Sequence, residues 1–337
     1  MSRDPVLTFT DHGIYCPAGD FFIDPWRPVD RALITHGHAD HARPGHRRYL
    51  CTKAAAPVMR HRLGDITLET IGFDQALEIG DARVSFHPAG HVPGSAQIRV
   101  EVGGEIWVAS GDYKTMEDGL SEPFAPVPCH SFITESTFGL PVFRWRPQAD
   151  VADDLNSWWR DSVTDGKTPM LGAYTLGKAQ RLLKMLDPAI GPILTHGAVE
   201  ATTEVLRAQG YTLPKTVLVT PETDVKAHPS ALVLCPPSAI GSAWAKRFGA
   251  MSTGFASGWM QLRGVRRRRS SDRGFVISDH ADWDGLLSAI RATGAQNVYV
   301  THGYTEIFTR WLNENGWHAA IVPTEFEGEA LDTEDAQ

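Results

Sequence analysis

Thr35-His36-Gly37-His38-Ala39-Asp40-His41 follows the apolar triplet Ala32-Leu33-Ile34, so three imidazoles and a carboxylate crowd into six positions at the end of a short candidate strand. Imidazole nitrogen and carboxylate oxygen are the donors that zinc and its divalent neighbours take. Spacing by two lets His36 and His38 face one ion, which leaves Asp40 and His41 for a second. Any one of the chain's 14 histidines, taken alone, reads as a surface or packing residue. Four ligand-type residues directly behind a buried strand read as a two-metal site.

Two ions need more donors than one loop holds, and later strand ends offer them. His91 stands in Pro88-Ala89-Gly90-His91-Val92-Pro93-Gly94-Ser95, where flanking glycines allow a tight backbone turn. Asp112 follows the candidate strand 106–110 in Ser110-Gly111-Asp112-Tyr113, and His302 follows 297–301 in Val300-Thr301-His302-Gly303-Tyr304. Thr195-His196-Gly197 repeats the pattern, but in a different part of the chain; His196 is read as structural or substrate-contacting rather than as a ligand.

Composition narrows the class. The 337 residues, 42% hydrophobic and 9% aromatic, can fill one large core or two domains. No apolar run approaches the roughly 20 residues of a membrane helix, and the start Met1-Ser2-Arg3-Asp4-Pro5 lacks a secretory core, so a cytoplasmic protein with no membrane partner is expected. Cys16, Cys51, Cys129 and Cys235 are scattered and form no CxxC pair, which suits separate thiols in a reducing compartment. The net charge of -8 argues mildly against a protein that coats nucleic acid. Charge is uneven, however: residues 263–273 carry an arginine run, and Glu325, Glu327, Glu329, Asp332, Glu334 and Asp335 make an acidic end that reads as disordered.

The first third alternates short apolar segments with Gly, Pro and Asp turns, at 13–16, 21–24, 32–35, 83–87, 97–102 and 105–110, and reads as antiparallel sheet. From about residue 147 the pattern changes. A helix over 148–165 is followed by apolar strands at 170–174, 193–195, 217–220 and 232–234 with helical segments between them, which argues for βα units across roughly 147–271. The last part returns to strong signals: a strand at 275–278, an amphipathic helix over 282–293 stopped by Gly294, and a strand at 297–301.

With its HxHxDH signature at His36, His38, Asp40 and His41, and a later His and Asp at His91 and Asp112, the chain resembles the metallo-β-lactamase superfamily. Within it, Glu135 in Phe132-Ile133-Thr134-Glu135-Ser136-Thr137, His280 in Ser278-Asp279-His280-Ala281-Asp282 and the final His302 resemble the β-CASP nucleases. Almost the whole chain is similar to bacterial exonucleases encoded beside DNA ligases and assigned to the DNA damage response. Stretches such as Leu176-Gly177-Lys178-Ala179-Gln180-Arg181-Leu182-Leu183 prompt this. Ala42-Arg43-Pro44-Gly45 stands where many members of the superfamily carry a glycine pair.

The resemblance implies an α/β fold: an αββα sandwich from residues 1–146 and 272–337, with an α/β β-CASP domain inserted at 147–271. Spacing and analogy together put one ion on His36, His38 and His91, a second on Asp40, His41 and His302, and the Asp112 carboxylate between them. Zinc is the first choice of metal, with manganese as the alternative. Asp24 matches the superfamily's first motif, an orienting carboxylate behind the metal loop; otherwise it is a turn-forming Asp before Pro25. Asp40, Glu135 and His280 are the expected catalytic groups, His280 donating a proton to the leaving sugar oxygen while a hydroxide held by two metals attacks phosphorus.

Five side chains are candidates for holding the substrate: Ser95, Lys178 at a helix start, Ser257 in the 252–259 stretch, and Arg266 and Arg267 of the arginine run at 266–269. Trp145 and Trp259 are candidates for base stacking. The expected function is a DNA exonuclease of DNA repair, bound to nucleic acid with DNA favoured over RNA, and linked functionally to a DNA ligase or helicase. An RNA-processing nuclease of the same fold uses identical chemistry and stays open. A thioester or lactam hydrolase would have no need of Glu135 and His280, and intact ligands argue against a silent binding protein.

Overall fold

The chain begins as a run of short strands. In the computed structural model, which describes residues 5–268 and 271–325, these are β1 (Thr8–Phe9), β2 (Ile14–Cys16), β3 (Phe21–Ile23), β4 (Arg31–Leu33), β5 (Arg48–Thr52), then helix α1 (Ala56–Leu63) and β6 (Leu68–Ile71). Five more strands follow: β7 (Ala76–Ile79), β8 (Ala82–Pro88), β9 (Ala96–Val102), β10 (Glu105–Ala109) and β11 (Ser131–Ser136). Next come α2 (Gln148–Thr164), β12 (Thr168–Gly172), α3 (Lys178–Met185), β13 (Ile193–Thr195), α4 (Gly197–Ala208), β14 (Thr216–Leu218), β15 (Leu232–Cys235), β16 (Met251–Ala256), α5 (Arg263–Arg268) and β17 (Arg273–Phe275). The chain closes with α6 (Trp283–Thr293), β18 (Asn297–Gly303), α7 (Thr305–Glu314) and β19 (His318–Ile321).

Two compact units result: 5–117, 121–144 and 279–325 form the first, while Asp118–Leu120 and Trp145–Ser278 form the second. The first holds two sheets, in the orders β1-β2-β3-β4-β5-β6 and β19-β18-β11-β10-β9-β8-β7. Alternation along the strands assigns their faces. Trp107, Ala109 and Ile133 of the second sheet meet Ile14, Phe21, Leu33 and Leu50 of the first in one core. Their neighbours Val108, Phe132, Val298 and Val300 point the other way, onto Leu286 and Ile290 of α6 and Phe308 and Leu312 of α7. Ala32, Tyr49 and Cys51 likewise turn outward to Ala56 and Met59 of α1. Helix, sheet, sheet, helix is the expected αββα order.

The antiparallel reading of the first third needs correction. Pairs β1-β2 and β2-β3 are antiparallel, as are those of β7 through β10, but β3 to β6 run parallel. A parallel neighbour requires the chain to travel back before it pairs. The histidine-rich segment makes that return between β4 and β5, and α1 makes it between β5 and β6. Pairs β10-β11, β11-β18 and β18-β19 are parallel too. Since β8 is antiparallel to β9, and β9 to β10, the C-terminal ends of β8, β10, β11 and β18 share one edge, which is where His91, Asp112, Glu135 and His302 fall.

The second unit is a parallel sheet in the order β14-β13-β15-β12-β16-β17. Leu171, Ile193, Leu232 and Leu234 pack under α2, α3 and α4 with Leu155, Trp159 and Leu182, while Met170, Leu194 and Val233 cover the opposite face with Phe248. The strand expected at 275–278 lies at Arg273–Phe275 and joins this sheet against β16. Arg269 of the basic run, and the acidic positions Glu327, Glu329, Asp332, Glu334 and Asp335, lie outside the described residues. Among the described residues no helix is long and apolar enough to cross a membrane.

Candidate metal centre

Asp24, one residue past β3, sits at φ 42, in the left-handed region that short polar side chains tolerate. That twist aims its carboxylate at the histidine-rich loop. Oδ1 accepts the Thr35 amide at 2.8 Å and Oδ2 accepts the Thr35 hydroxyl at 2.5 Å. With its proton committed to Asp24, Thr35 Oγ1 accepts from His36 Nδ1 at 3.0 Å. His41 Nδ1 donates to the same Asp24 Oδ2 at 2.8 Å. One buried carboxylate therefore fixes the tautomer of two imidazoles and turns both Nε2 lone pairs away from itself.

The other histidines are set the same way. His91 Nδ1 donates to the Asp279 carbonyl at 2.9 Å. Thr301 donates its hydroxyl proton to the Thr134 carbonyl at 3.1 Å and accepts from His302 Nδ1 at 3.3 Å. Four residues thus present Nε2, and His38 presents Nδ1, the atom that lies 3.1 Å from His36 Nε2 and 3.0 Å from His91 Nε2.

Asp112 closes the group. Its Oδ2 lies 3.6 Å from His36 Nε2, 3.8 Å from His91 Nε2 and 3.5 Å from His41 Nε2, while Oδ1 lies 3.0 Å from His302 Nε2. Asp40 Oδ2 stands 3.6 Å from His41 Nε2. Ligand atoms on a zinc-sized tetrahedron are separated by about 3.3 Å when each bond is about 2.0–2.1 Å. The spacings within His36, His38, His91 and Asp112 bracket that edge length, and all four ligand atoms lie within 4.8 Å of one another. The donor set fits a divalent cation.

Electrostatics agree. Burial, then the neighbouring His41 and His91, push the His36 imidazole well below its ordinary pKa, and burial with His280 and His38 does the same to His91. Both are held neutral, the form that binds metal. Burial also opposes charge on His41, but Asp40, Asp112 and Asp24 outweigh it and hold that imidazole well above its usual range. Asp112 is desolvated too, yet His41, His280 and His302 keep its carboxyl well below the usual carboxylate range. Three carboxylates around one buried imidazole call for positive charge, which a metal supplies.

Glu135 lies on β11 where the register against β18 shifts between Thr134 and Ser136. An irregularity of this kind re-aims one side chain out of the strand's alternation. Glu135 Oε1 accepts the Tyr113 amide and Oε2 accepts His280 Nδ1, each at 2.8 Å. Ligand atoms of Asp112, Glu135 and His280 also lie within 4.8 Å of one another. The His280 ring stands 4.6 Å from that of His91, centre to centre. Gly111, at φ 55, completes the packing: a Cβ there would sit 2.6 Å from Thr35 Oγ1.

All seven expected ligands and Asp24, Glu135 and His280 are thus in the first unit and converge. Ser95 is there as well, buried, with its hydroxyl accepting the amides of His91 at 3.1 Å and Val92 at 3.2 Å. Lys178, Ser257, Arg266 and Arg267 belong to the second unit. Lys178 is the buried first residue of α3, its ammonium 4.4 Å from the centre of the Tyr174 ring. Ser257 is buried and accepts the Trp259 amide at 3.2 Å. Arg266 and Arg267 are exposed on α5. Trp259 is buried, so packing rather than base stacking describes it. Thr35, Thr301 and Gly111 were not singled out from sequence, although each threonine stands directly before a ligand-type histidine.

No family model matches the chain. A probable DNA ligase from Opitutus terrae is 33% identical over 315 residues, which make up 92% of this chain and 30% of that protein. Endoribonuclease YSH1 from Mycosarcoma maydis is 28% identical over 206 residues, 49% of this chain and 23% of its own length. Cleavage and polyadenylation specificity factor 73 from Drosophila melanogaster is 30% identical over 122 residues, 36% and 18% respectively. The chain therefore spans less than a third of the length of these relatives. Among solved structures, a protein of unknown function from Enterococcus faecalis V583 shares the fold with a TM-score of 0.58 at 12% identity, covering 88% of this chain and 80% of that one. Fold, ligand loop and relatives agree in what the chain resembles: the β-CASP nucleases of the metallo-β-lactamase superfamily.

Proposed function

We propose that the chain is a metal-dependent phosphodiesterase, acting as a DNA exonuclease in DNA repair. The observation that carries this reading is the Glu135–His280 pair beside the ligand cluster, a proton donor suited to a departing sugar oxygen. Two divalent cations, zinc in the first place, would be held by the seven ligands and would supply Lewis acidity and a water of lowered pKa. His280 is held through Nδ1 by one oxygen of a carboxylate whose other oxygen is pinned by the Tyr113 amide. Rotation of the ring is thereby suppressed, and when the imidazole is protonated the proton destined for the departing sugar oxygen is the one on Nε2. Ser95, Lys178, Ser257, Arg266 and Arg267 are proposed to help hold the strand.

DNA is favoured because the relative named a DNA ligase aligns with nearly the whole chain, whereas the RNA-processing relatives align with half or less. That alignment also supports a functional link to a ligase. The RNA relatives in turn support a second reading, an RNA-processing nuclease of the same chemistry. End-labelled single-stranded DNA and a matched RNA, incubated with the protein and zinc or manganese, separate the two. Mononucleotides released from DNA are expected. Release from RNA alone transfers the assignment to the second reading, and no cleavage of either strand ends both.

A further inference from the structure

Helix α1 was not anticipated from sequence, and it touches both ligand loops. At its start, the Thr52 hydroxyl donates to the Gly94 carbonyl at 2.7 Å and accepts the Ala55 amide at 3.0 Å. The approach is close enough that a Cβ on Gly94 would lie 2.4 Å from the Ala55 nitrogen. At its end, Arg62 Nη1 donates at 2.5 Å to the carbonyl of Gly37, the residue between His36 and His38. The helix thus runs from the His91 loop to the His36–His38 loop and delivers a guanidinium to the rim of the candidate centre.

A second arginine at this loop shows what a purely structural one looks like. Arg43 places Nε 3.2 Å from the Asp40 carbonyl, Nη1 3.4 Å from that of Trp26 and Nη2 2.6 Å from that of Glu325, so every nitrogen is engaged with backbone. Arg62 differs. Among the described residues its sole hydrogen bond is the one to Gly37, and its side chain remains exposed. A guanidinium has five N–H donors in a planar fork shaped for phosphate oxygens. Four of them are left for a ligand.

Charge gives the arrangement a direction. Partial burial lowers the Arg62 pKa, and the Asp40 carboxylate pushes it back up. Two divalent cations would more than neutralise Asp40 and Asp112, leaving a positive centre with a guanidinium beside it. Like charges so placed are stable together when an anion joins them. We propose that Arg62 is a substrate-binding residue that grips a phosphodiester oxygen at the rim of the metal centre. The proposal rests on the phosphodiesterase reading.

The test is binding of a cleavage-resistant phosphorothioate single-stranded DNA to the metal-loaded protein across a salt series, with metal content measured on the same samples. Arg62→Ala is expected to weaken binding about tenfold and to reduce the slope of log affinity against log salt by about one. Its metal content should equal that of the unsubstituted protein, and Arg62→Lys should restore the slope. A full slope in Arg62→Ala overturns the proposal. So does a loss of metal in that variant, which would make Arg62 a clamp on the ligand loop. If the unsubstituted protein neither binds nor cleaves a strand, the phosphodiesterase reading falls first; if it does both and Arg62→Ala matches it, only this proposal falls.

Discussion

Thr35-His36-Gly37 and Thr195-His196-Gly197 are the same tripeptide at the same kind of place, the C-terminal end of a short parallel strand, yet they fold into different chemistry. In the first copy the threonine hydroxyl is drawn to Asp24, accepts from His36 Nδ1 and turns Nε2 toward His38, His91 and Asp112. In the second, the Thr195 hydroxyl is drawn to Glu200 Oε2 at 2.5 Å, inside a network with Thr216 and Arg207. His196 is left to cap α4, its Nδ1 accepting the Ala198 amide at 3.2 Å with its ring edge-on to Trp244. A threonine hydroxyl that accepts from the next imidazole, as Thr35 and Thr301 do, goes with a ligand, and one drawn into the Glu200 network, as Thr195 is, goes with a cap. The motif itself does not decide between them.

Four substitutions press on that contrast, in descending order of effect. His36→Ala should remove metal, measured by elemental analysis, and abolish turnover; retention of both would place the first copy on the same footing as the second. His280→Ala should lower turnover by roughly 10²–10⁴-fold while metal content stays near that of the unsubstituted protein. Parallel loss of metal would show that His280 belongs with the ligands.

Thr35→Val keeps the shape and deletes the hydroxyl that links Asp24 to His36. Metal affinity, followed by competition with a chelating dye, should fall about 10- to 100-fold; an unchanged affinity would mean that Asp24 orients the loop without the threonine. His196→Ala should leave metal content and affinity untouched and lower stability to denaturant by about 1 kcal/mol, the usual scale for a lost helix cap. Any loss of metal in that variant would break the comparison outright.

Much of the architecture was legible because it rests on short-range pattern. Helix α2 and strands β13 and β15 follow from periodicity, and α6 from its apolar spacing and from Gly294, which adopts φ 68 at the helix end. The HxHxDH loop was legible for a different reason, since its donors are neighbours in sequence. What stayed hidden depends on partners distant along the chain. The parallel order of β3 to β6 reflects where the chain returns, which local alternation does not encode. Helix α1 has only Ala56, Val58 and Met59 buried among its eight residues, too little to write a clear apolar stripe. Asp24, 17 residues from His41, was named only through the family resemblance, and the carbonyl that fixes His91 comes from 188 residues away. In that last case the acceptor is backbone, so no side chain advertises it.

Gly111 carries a consequence for anyone who would rebuild this centre elsewhere. Its neighbour Asp112 supplies the carboxylate shared by four imidazoles, and its own bare α-carbon lets two sheets close to within touching distance of Thr35. A transplant that copied every donor but put alanine at this position would prise the two halves of the cage apart. The smallest residue in the motif is thus as much a part of its blueprint as the histidines.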